Sequence, residues 1–121
     1  MSERLGLGRR EKIKRKQDFK AVFDKGKRYS NSLISIVFAK QLAAPQDKPA
    51  RRLGIIASRK VGNAVQRNRL KRFTREVFRI HQYDFKAPVQ IVVILKPAAR
   101  EAPRKIIQAG FLELCKKAQL L

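Results

Sequence analysis

The residues best suited to binding chemistry lie in one short stretch, VQRNRLKRFTREVFR, from Val65 to Arg79. Glu76 is its single acid, and its cations are Arg67, Arg69, Lys71, Arg72, Arg75 and Arg79. A guanidinium is planar and can donate two hydrogen bonds to one phosphate, whereas an ammonium acts more as a point charge. Like charges at helical spacing repel each other, so a face that serves only solubility would mix the two signs. The stretch therefore favours contact with a polyanion, with a solvated helix face as the alternative.

Chemistry by the protein itself has little support in the sequence. Cys115 is the only cysteine and His81 the only histidine, which leaves no intrachain disulfide, no zinc site of clustered cysteines and few nucleophile schemes. Binding two metal ions would need carboxylates in close pairs, and these acids form none: Asp18, Asp24, Asp47, Asp84, Glu76, Glu101 and Glu113. We expect Cys115 to be a packing residue in a helix. No catalytic residue and no metal site are predicted on the protein alone.

The composition predicts one small basic domain. The chain has 121 residues, of which 44% are hydrophobic, enough for a single packed core. Thirty Lys and Arg against nine Asp and Glu give a net charge of +21, which calls for nucleic acid or an anionic membrane as partner. No apolar run approaches the roughly 20 residues that span a bilayer, and no signal peptide is recognisable. We expect a soluble cytoplasmic protein that spans 1–121 as one domain, with a flexible basic arm over about 1–15. The arm serves solubility or contacts phosphates.

Two elements are predicted near the start of the chain. A short helix from about Gln17 to Lys25, ended by Gly26, carries an apolar stripe of Phe19, Val22 and Phe23. The next segment, SLISIVFAK, alternates as a strand does, so its two faces differ. The face predicted to join the core holds Ile34, Ile36 and Phe38. The face predicted to be half open holds Leu33, Ser35, Val37 and Ala39.

Three further elements are predicted besides the basic stretch. After a loop with two prolines, Arg52–Ser58 is predicted as a strand and an antiparallel neighbour of the first. Val89–Leu95 is a continuous apolar run, typical of a strand covered on both faces. A helix that starts near Pro103 carries a stripe that can pack on the sheet: Ile107, Phe111, Leu114, Cys115 and Ala118.

The basic stretch itself is predicted to be an amphipathic helix. At about 100° per residue, its buried face holds Leu70, Phe73, Val77 and Ile80. Its opposite face holds Asn68, Arg72, Arg75 and Arg79, flanked by Arg67 and Lys71. Gly62 permits a cramped turn and Asn63 is a good N-cap, so the helix start is well defined. Arg59 and Lys60 lie beside that positively polarised end.

The motif RKVGNAVQRNRLKRFTREVFR resembles the protein component of bacterial ribonuclease P. The resemblance rests on the R-N-R-x-K-R signature of Arg67 to Arg72 and on the G-N-A-V before it. It extends to KRKQDFKAVFDKGKRYSN, RLGIIASRKVGNAV and IVVILKPAA, which covers nearly the whole chain. It implies an α+β fold, a single-domain α-β sandwich in the order αβββαβα, with a left-handed βαβ crossover around the R-N-R helix.

The resemblance also implies a function for the chain as a protein subunit. In that family the RNA subunit holds the catalytic metal ions, expected to be Mg²⁺, and removes the 5′ leader from precursor tRNA. The implied contacts with the catalytic RNA are Lys60, Arg67, Asn68, Arg69, Lys71, Arg72 and Arg75. The implied leader contacts are Phe19, Phe23, Ser35 and Val37. The partners are ribonuclease P RNA and precursor tRNA, without a membrane and without a required protein oligomer.

Two other functions stay open at this stage. A ribosomal or nucleoid-type protein would bind its RNA or DNA without promoting any cleavage. A metal-dependent nuclease that acts without RNA needs clustered carboxylates or more histidines, which the sequence lacks.

Overall fold

A computed structural model describes residues 12–40 and 51–121 of the chain. The predicted arm up to residue 11 and the loop at 41–50 lie outside the described residues. In chain order the elements are α1 (Lys16–Lys25), β1 (Lys27–Ser30), β2 (Ile34–Lys40), β3 (Arg51–Ile56), α2 (Ala64–His81), β4 (Val89–Leu95) and α3 (Arg104–Lys117). The α+β class and the order αβββαβα are therefore confirmed.

The four strands form one sheet in the order β1-β2-β4-β3. β4 pairs antiparallel with β2 and parallel with β3. The prediction that β3 is an antiparallel neighbour of β2 is wrong, because β4 lies between them. The chain returns from β3 through α2 to β4, and a helical crossover of this kind joins parallel strands. The hand of this crossover stays a prediction.

β1 is the strand that the hydrophobic pattern did not reveal. Its sequence KRYS is polar, and it lies at the sheet edge, mostly exposed to solvent. Its pairing is antiparallel to β2, with Tyr29 opposite Ile36. A strand held mainly by edge pairing has little apolar periodicity to detect.

Helices cover both faces of the sheet. α2 and α3 pack on one face, where the predicted core residues Ile34, Ile36 and Phe38 are buried. α1 packs on the other face, where Val22 meets Val37. β4 is buried on both sides, as predicted for its continuous apolar run. The predicted stripe of α3, including Cys115, is also buried. Burial raises the pKa of the Cys115 thiol to about 12.

The face of β2 that was predicted to be half open is closed at its centre. Ser35 is 0% exposed and Val37 is 3% exposed. α1 covers Val37, while the Ser30 hydroxyl lies 2.7 Å from that of Ser35 and Arg28 reaches the same oxygen at 3.5 Å. The prediction was wrong because a neighbouring strand and helix, which are not visible in β2 itself, supply the cover.

The buried face of α2 is rotated from the prediction. Leu70 and Val77 are buried as expected, but Ile80 is 47% exposed and Phe78 takes its place. Ile80 and Phe78 lie at about 80° on opposite sides of Leu70, so an apolar pattern alone does not choose between them. Thr74 is also buried, since its hydroxyl donates to the carbonyl of Leu70 at 2.8 Å.

No helix in the described part of the chain is long and apolar enough to cross a membrane.

Candidate nucleic-acid interface

The start of α2 is defined by a reciprocal cap. The Asn63 side chain accepts a hydrogen bond from the backbone N–H of Gln66, and the Gln66 side chain accepts one from the backbone N–H of Asn63, both at 2.9 Å. The prediction of Asn63 as the N-cap is confirmed. A Cβ at Gly62 would lie 2.3 Å from Oε1 of Gln66, so only glycine lets this side chain fold back over the turn. The cap sets where the basic helix begins and which way its side chains point.

The ring of Phe73 contacts two arginines of the cationic face of α2. The guanidinium carbons of Arg69 and Arg72 lie 4.9 Å and 5.6 Å from the ring centroid of Phe73. Such cation-π contacts orient the guanidinium planes and leave N–H groups at their edges for other acceptors. Asn68 and Arg72 are exposed, whereas Arg67, Arg69, Lys71 and Arg75 are partly covered.

Carboxylates in the ranges 12–40 and 51–121 do not neutralise this face. Within the described residues, no ion pair involves Arg67, Lys71, Arg72 or Arg75. Glu76, the one acid of the helix, lies 3.5 Å from Arg104 of α3. α2 therefore presents positive charge that the fold itself does not use.

Arg69 differs from the other predicted contacts because protein groups already engage it. Its guanidinium donates to the carbonyl of Arg100 at 3.3 Å and, more weakly, to that of Ala102 at 3.5 Å. Both carbonyls belong to the connection between β4 and α3. Arg69 thus anchors α2 to this connection, and its contact with RNA stays a prediction.

Arg100 holds the loop that carries Lys60. Its Nε donates to the carbonyl of Val61 at 2.6 Å and its Nη2 to that of Lys60 at 3.2 Å. Lys60 itself is exposed at the entrance to α2. Sequence reasoning missed Arg100 because these contacts join residues 39 and 40 positions apart, and no local pattern signals them.

The two predicted aromatic contacts of α1 share a second surface. Phe19 and Phe23 line a concavity of about 560 Å³ together with Ile56 of β3. Its other described lining residues are Lys16, Gln17 and Lys20. Phe23 is 39% exposed, and Phe19 is half-buried. Gly54 makes room for Phe19, since a Cβ at Gly54 would lie 2.6 Å from its ring.

Ser35 and Val37 do not join Phe19 and Phe23 on that surface. Both side chains are buried, so neither presents an accessible face to a ligand in this structure. Val37 instead packs beneath α1 against Val22. Sequence reasoning missed Ile56 at this surface because it was assigned only as a strand residue, and it did not single out Lys16 or Lys20.

The described residues do not fit a bound Mg²⁺ ion. In 12–40 and 51–121, no three side chains of His, Cys, Asp or Glu come together in a way that could hold a metal. Asp18 and Glu76 have cationic partners in the fold, Arg52 at 3.7 Å and Arg104 at 3.5 Å.

Known proteins with sequences similar to this chain share one name. The sequence model of the family Ribonuclease P matches residues 7–119. The ribonuclease P protein component of Desulfatibacillum aliphaticivorans is 38% identical over 83% of this chain and 80% of its own length. That of Alkaliphilus metalliredigens is 34% identical over 91% of this chain and 95% of its own.

Solved structures agree with the sequence match. The ribonuclease P protein of Staphylococcus aureus superposes with a TM-score of 0.79 at 30% identity, over 91% of this chain and 96% of that one. The ribonuclease P protein of Thermotoga maritima gives 0.74 at 30% identity, over 88% and 96%. Since sequence and fold agree over most of its length, the chain belongs to the ribonuclease P protein family, the protein component of a ribonucleoprotein endoribonuclease.

Proposed function

We propose that the chain binds the catalytic RNA of ribonuclease P through α2 and the 5′ leader of precursor tRNA through α1, and so promotes removal of the leader. The observation that carries this proposal is the cationic face of α2. A reciprocal cap and a stacked ring orient it, and no carboxylate in the described part of the chain neutralises it. The contacts assigned to the catalytic RNA are Lys60, Arg67, Asn68, Arg69, Lys71, Arg72 and Arg75.

Electrostatics explains why such a face favours RNA. Each phosphate that a Lys or Arg neutralises releases condensed counterions, and this release drives binding. The isolated protein carries a net charge of +21, so its like charges repel one another until an anion approaches. Binding RNA along α2 therefore relieves repulsion within the protein as well as within the RNA.

The leader surface combines apolar and cationic groups. Phe23 is exposed and half-buried Phe19 lies beside it, so unpaired bases can stack there at about 1 to 3 kcal/mol per base. Lys16 and Lys20 line the same concavity and can contact the leader phosphates. Stacking is sequence-tolerant because every base has a π-face, so this surface suits leaders of varied sequence. Val37 supports the surface from within the core, whereas the contacts of buried Ser35 are with Arg28 and Ser30 of β1.

The proposal assigns the chemistry to the RNA. Mg²⁺ ions held by the RNA would supply metal-bound water for hydrolysis of the phosphodiester. The described protein residues offer no matching ligand cluster, and burial keeps the Cys115 thiol protonated, with a pKa of about 12. The protein's own contribution is to bind phosphates and to position the leader. A cytoplasmic location remains part of the same proposal.

Cleavage of precursor tRNA by a bacterial ribonuclease P RNA at low Mg²⁺, with and without the protein, tests the proposal directly. We expect the protein to stimulate cleavage and to have no activity when the RNA is omitted. RNA binding without stimulation would instead support a ribosomal or nucleoid-type role. Cleavage by the protein alone would show a catalytic site on the polypeptide and overturn the assignment of chemistry to the RNA.

A further inference from the structure

A second basic surface lies where the N-terminal segment meets β3, the edge strand of the sheet on the α2 side. The backbone N–H of Ile13 donates to the carbonyl of Leu53 at 2.8 Å, and Lys12 pairs with Leu53 as a parallel bridge. Ile13 is only 4% exposed and belongs to the core beneath α1. These contacts fix residues 12–14 against the sheet, within the stretch that the sequence predicted to be a flexible arm.

Arg52 strengthens the attachment of this segment. Its guanidinium donates to the carbonyl of Lys12 at 3.1 Å and lies 3.7 Å from the carboxylate of Asp18. Arg52 is 8% exposed, so these contacts are largely shielded from water. Asp18 is thereby engaged with Arg52 and is not among the residues that line the surface formed by Lys12 and Lys14.

The attached segment brings two lysines toward α2. Lys12 and Lys14 flank the buried Ile13 in an extended stretch, where alternate side chains point in opposite directions. Together with Lys71 and Arg75 of α2 they line a concavity of about 260 Å³. Its remaining described lining residues are Ile13, Leu53 and Ile55.

The charges around this concavity favour binding of an anion. Four of its described lining residues are cations and none is an acid. Four like charges around so small a volume repel one another, unless negative charge enters between them. Its volume has room for several water molecules of about 30 Å³ each, and hence for a phosphate group.

We propose that this concavity binds backbone phosphates of the catalytic RNA, so that the RNA surface of α2 continues across β3 to Lys12 and Lys14. The inference rests on the proposed function of α2 and extends it by two residues. Catalytic RNA is a better occupant than the leader because Lys71 and Arg75 belong to α2. The concavity of Phe19 and Phe23 is lined by a separate set of residues.

The test is equilibrium binding of ribonuclease P RNA to the full chain with Lys12→Ala and Lys14→Ala combined, measured across a salt titration. Both alanines keep the backbone groups that pair with β3. We expect the affinity to fall on the order of tenfold, and the slope of log K against log salt to decrease by about 0.7 to 0.9 for each lost phosphate contact. The variant with Lys12→Arg and Lys14→Arg keeps both positive charges, so it should show most of the slope of the unmodified chain.

A matched control removes the same charge elsewhere. Lys105→Ala with Lys116→Ala takes two exposed lysines from α3, and its slope should stay close to that of the unmodified chain. Thermal unfolding of each variant checks that the fold is retained.

The outcomes separate this inference from the function on which it rests. If Arg72→Ala lowers the slope but the Lys12 and Lys14 variant behaves like the α3 control, the concavity does not bind RNA and the α2 proposal stands. If Arg72→Ala is also without effect, the α2 proposal fails too. A loss confined to precursor tRNA with a long leader, with RNA affinity unchanged, would assign the lysines to the leader and overturn the inference.

Discussion

Single side chains of α2 and α1 differ in whether the fold already uses them. Arg72 is exposed, stacks on Phe73 and has no carboxylate partner among residues 12–40 and 51–121, whereas Arg69 donates to two backbone carbonyls. On α1, Phe23 is 39% exposed while Phe19 fills the space above Gly54. A residue that the fold does not need is the better probe of binding, because its loss leaves stability nearly unchanged.

Replacing Arg72 by Ala should weaken assembly with ribonuclease P RNA and leave folding stability nearly unchanged. One lost phosphate contact should reduce the slope of log K against log salt by about 0.7 to 0.9. Filter binding over a series of salt concentrations measures this slope, with Lys116→Ala on α3 as the single-charge control. Equal slopes for the two variants would contradict a phosphate contact at Arg72.

Replacing Phe23 by Ala should weaken binding of precursor tRNA that carries a leader. Loss of one stacked base costs about 1 to 3 kcal/mol, which is roughly a 5- to 150-fold rise in Kd. Binding of leaderless tRNA to the same holoenzyme should not change. Ile106→Ala, which removes another exposed apolar side chain, is the control. An equal loss for both RNAs would place the effect outside the leader contact.

The basic helix works as an element because both the loop before it and the connection after β4 hold it in place. Asn63 and Gln66 cap its first turn. Arg100 donates to the carbonyls of Lys60 and Val61, and Arg69 donates back to the carbonyl of Arg100. These contacts hold the loop of exposed Lys60 in a defined position relative to α2.

Replacing Arg100 by Ala should loosen the loop of Lys60 while the helix remains folded. Two hydrogen bonds from an exposed guanidinium contribute on the order of 1 kcal/mol, so the Tm should fall by a few degrees. Amide hydrogen exchange should show faster exchange at residues 59–62 than in the unmodified chain. Arg100→Lys cannot reproduce both bonds and should be intermediate. Unchanged exchange in the loop would mean that Asn63 and Gln66 hold it without Arg100.

At the scale of the whole molecule, repulsion between the positive charges opposes the stabilisation that the buried core provides. A sheet covered by helices on both faces buries the apolar residues, while a net charge of +21 favours expansion of the chain. Salt screens repulsion between exposed charges, with a Debye length of about 10 Å at 0.1 M.

Raising the ionic strength should therefore stabilise the free protein, and RNA should do so more strongly. We expect the Tm to rise from low salt to physiological salt, since thirty Lys and Arg outnumber nine Asp and Glu, so that salt screens more repulsion than attraction. Differential scanning calorimetry at constant pH measures this change. A Tm that falls with salt would mean that ion pairs such as Arg104–Glu76 outweigh the net repulsion.

The local sequence determined the features that depend on neighbouring residues along the chain. The apolar period of α3, the continuous apolar run of β4, and the Asn63 cap all followed from it, because helices, strands and caps are set by spacings of a few residues. The R-N-R motif identified the family, and so the order αβββαβα.

Tertiary structure decided what depends on residues distant in the chain. In the folded chain β4 lies between β2 and β3, and Ser35 and Val37 are covered. Phe78 rather than Ile80 is buried in the core. Tertiary structure also brought Arg100 to the loop of Lys60. These outcomes rest on which elements pack together, and the periodicity of a single element does not encode its neighbours.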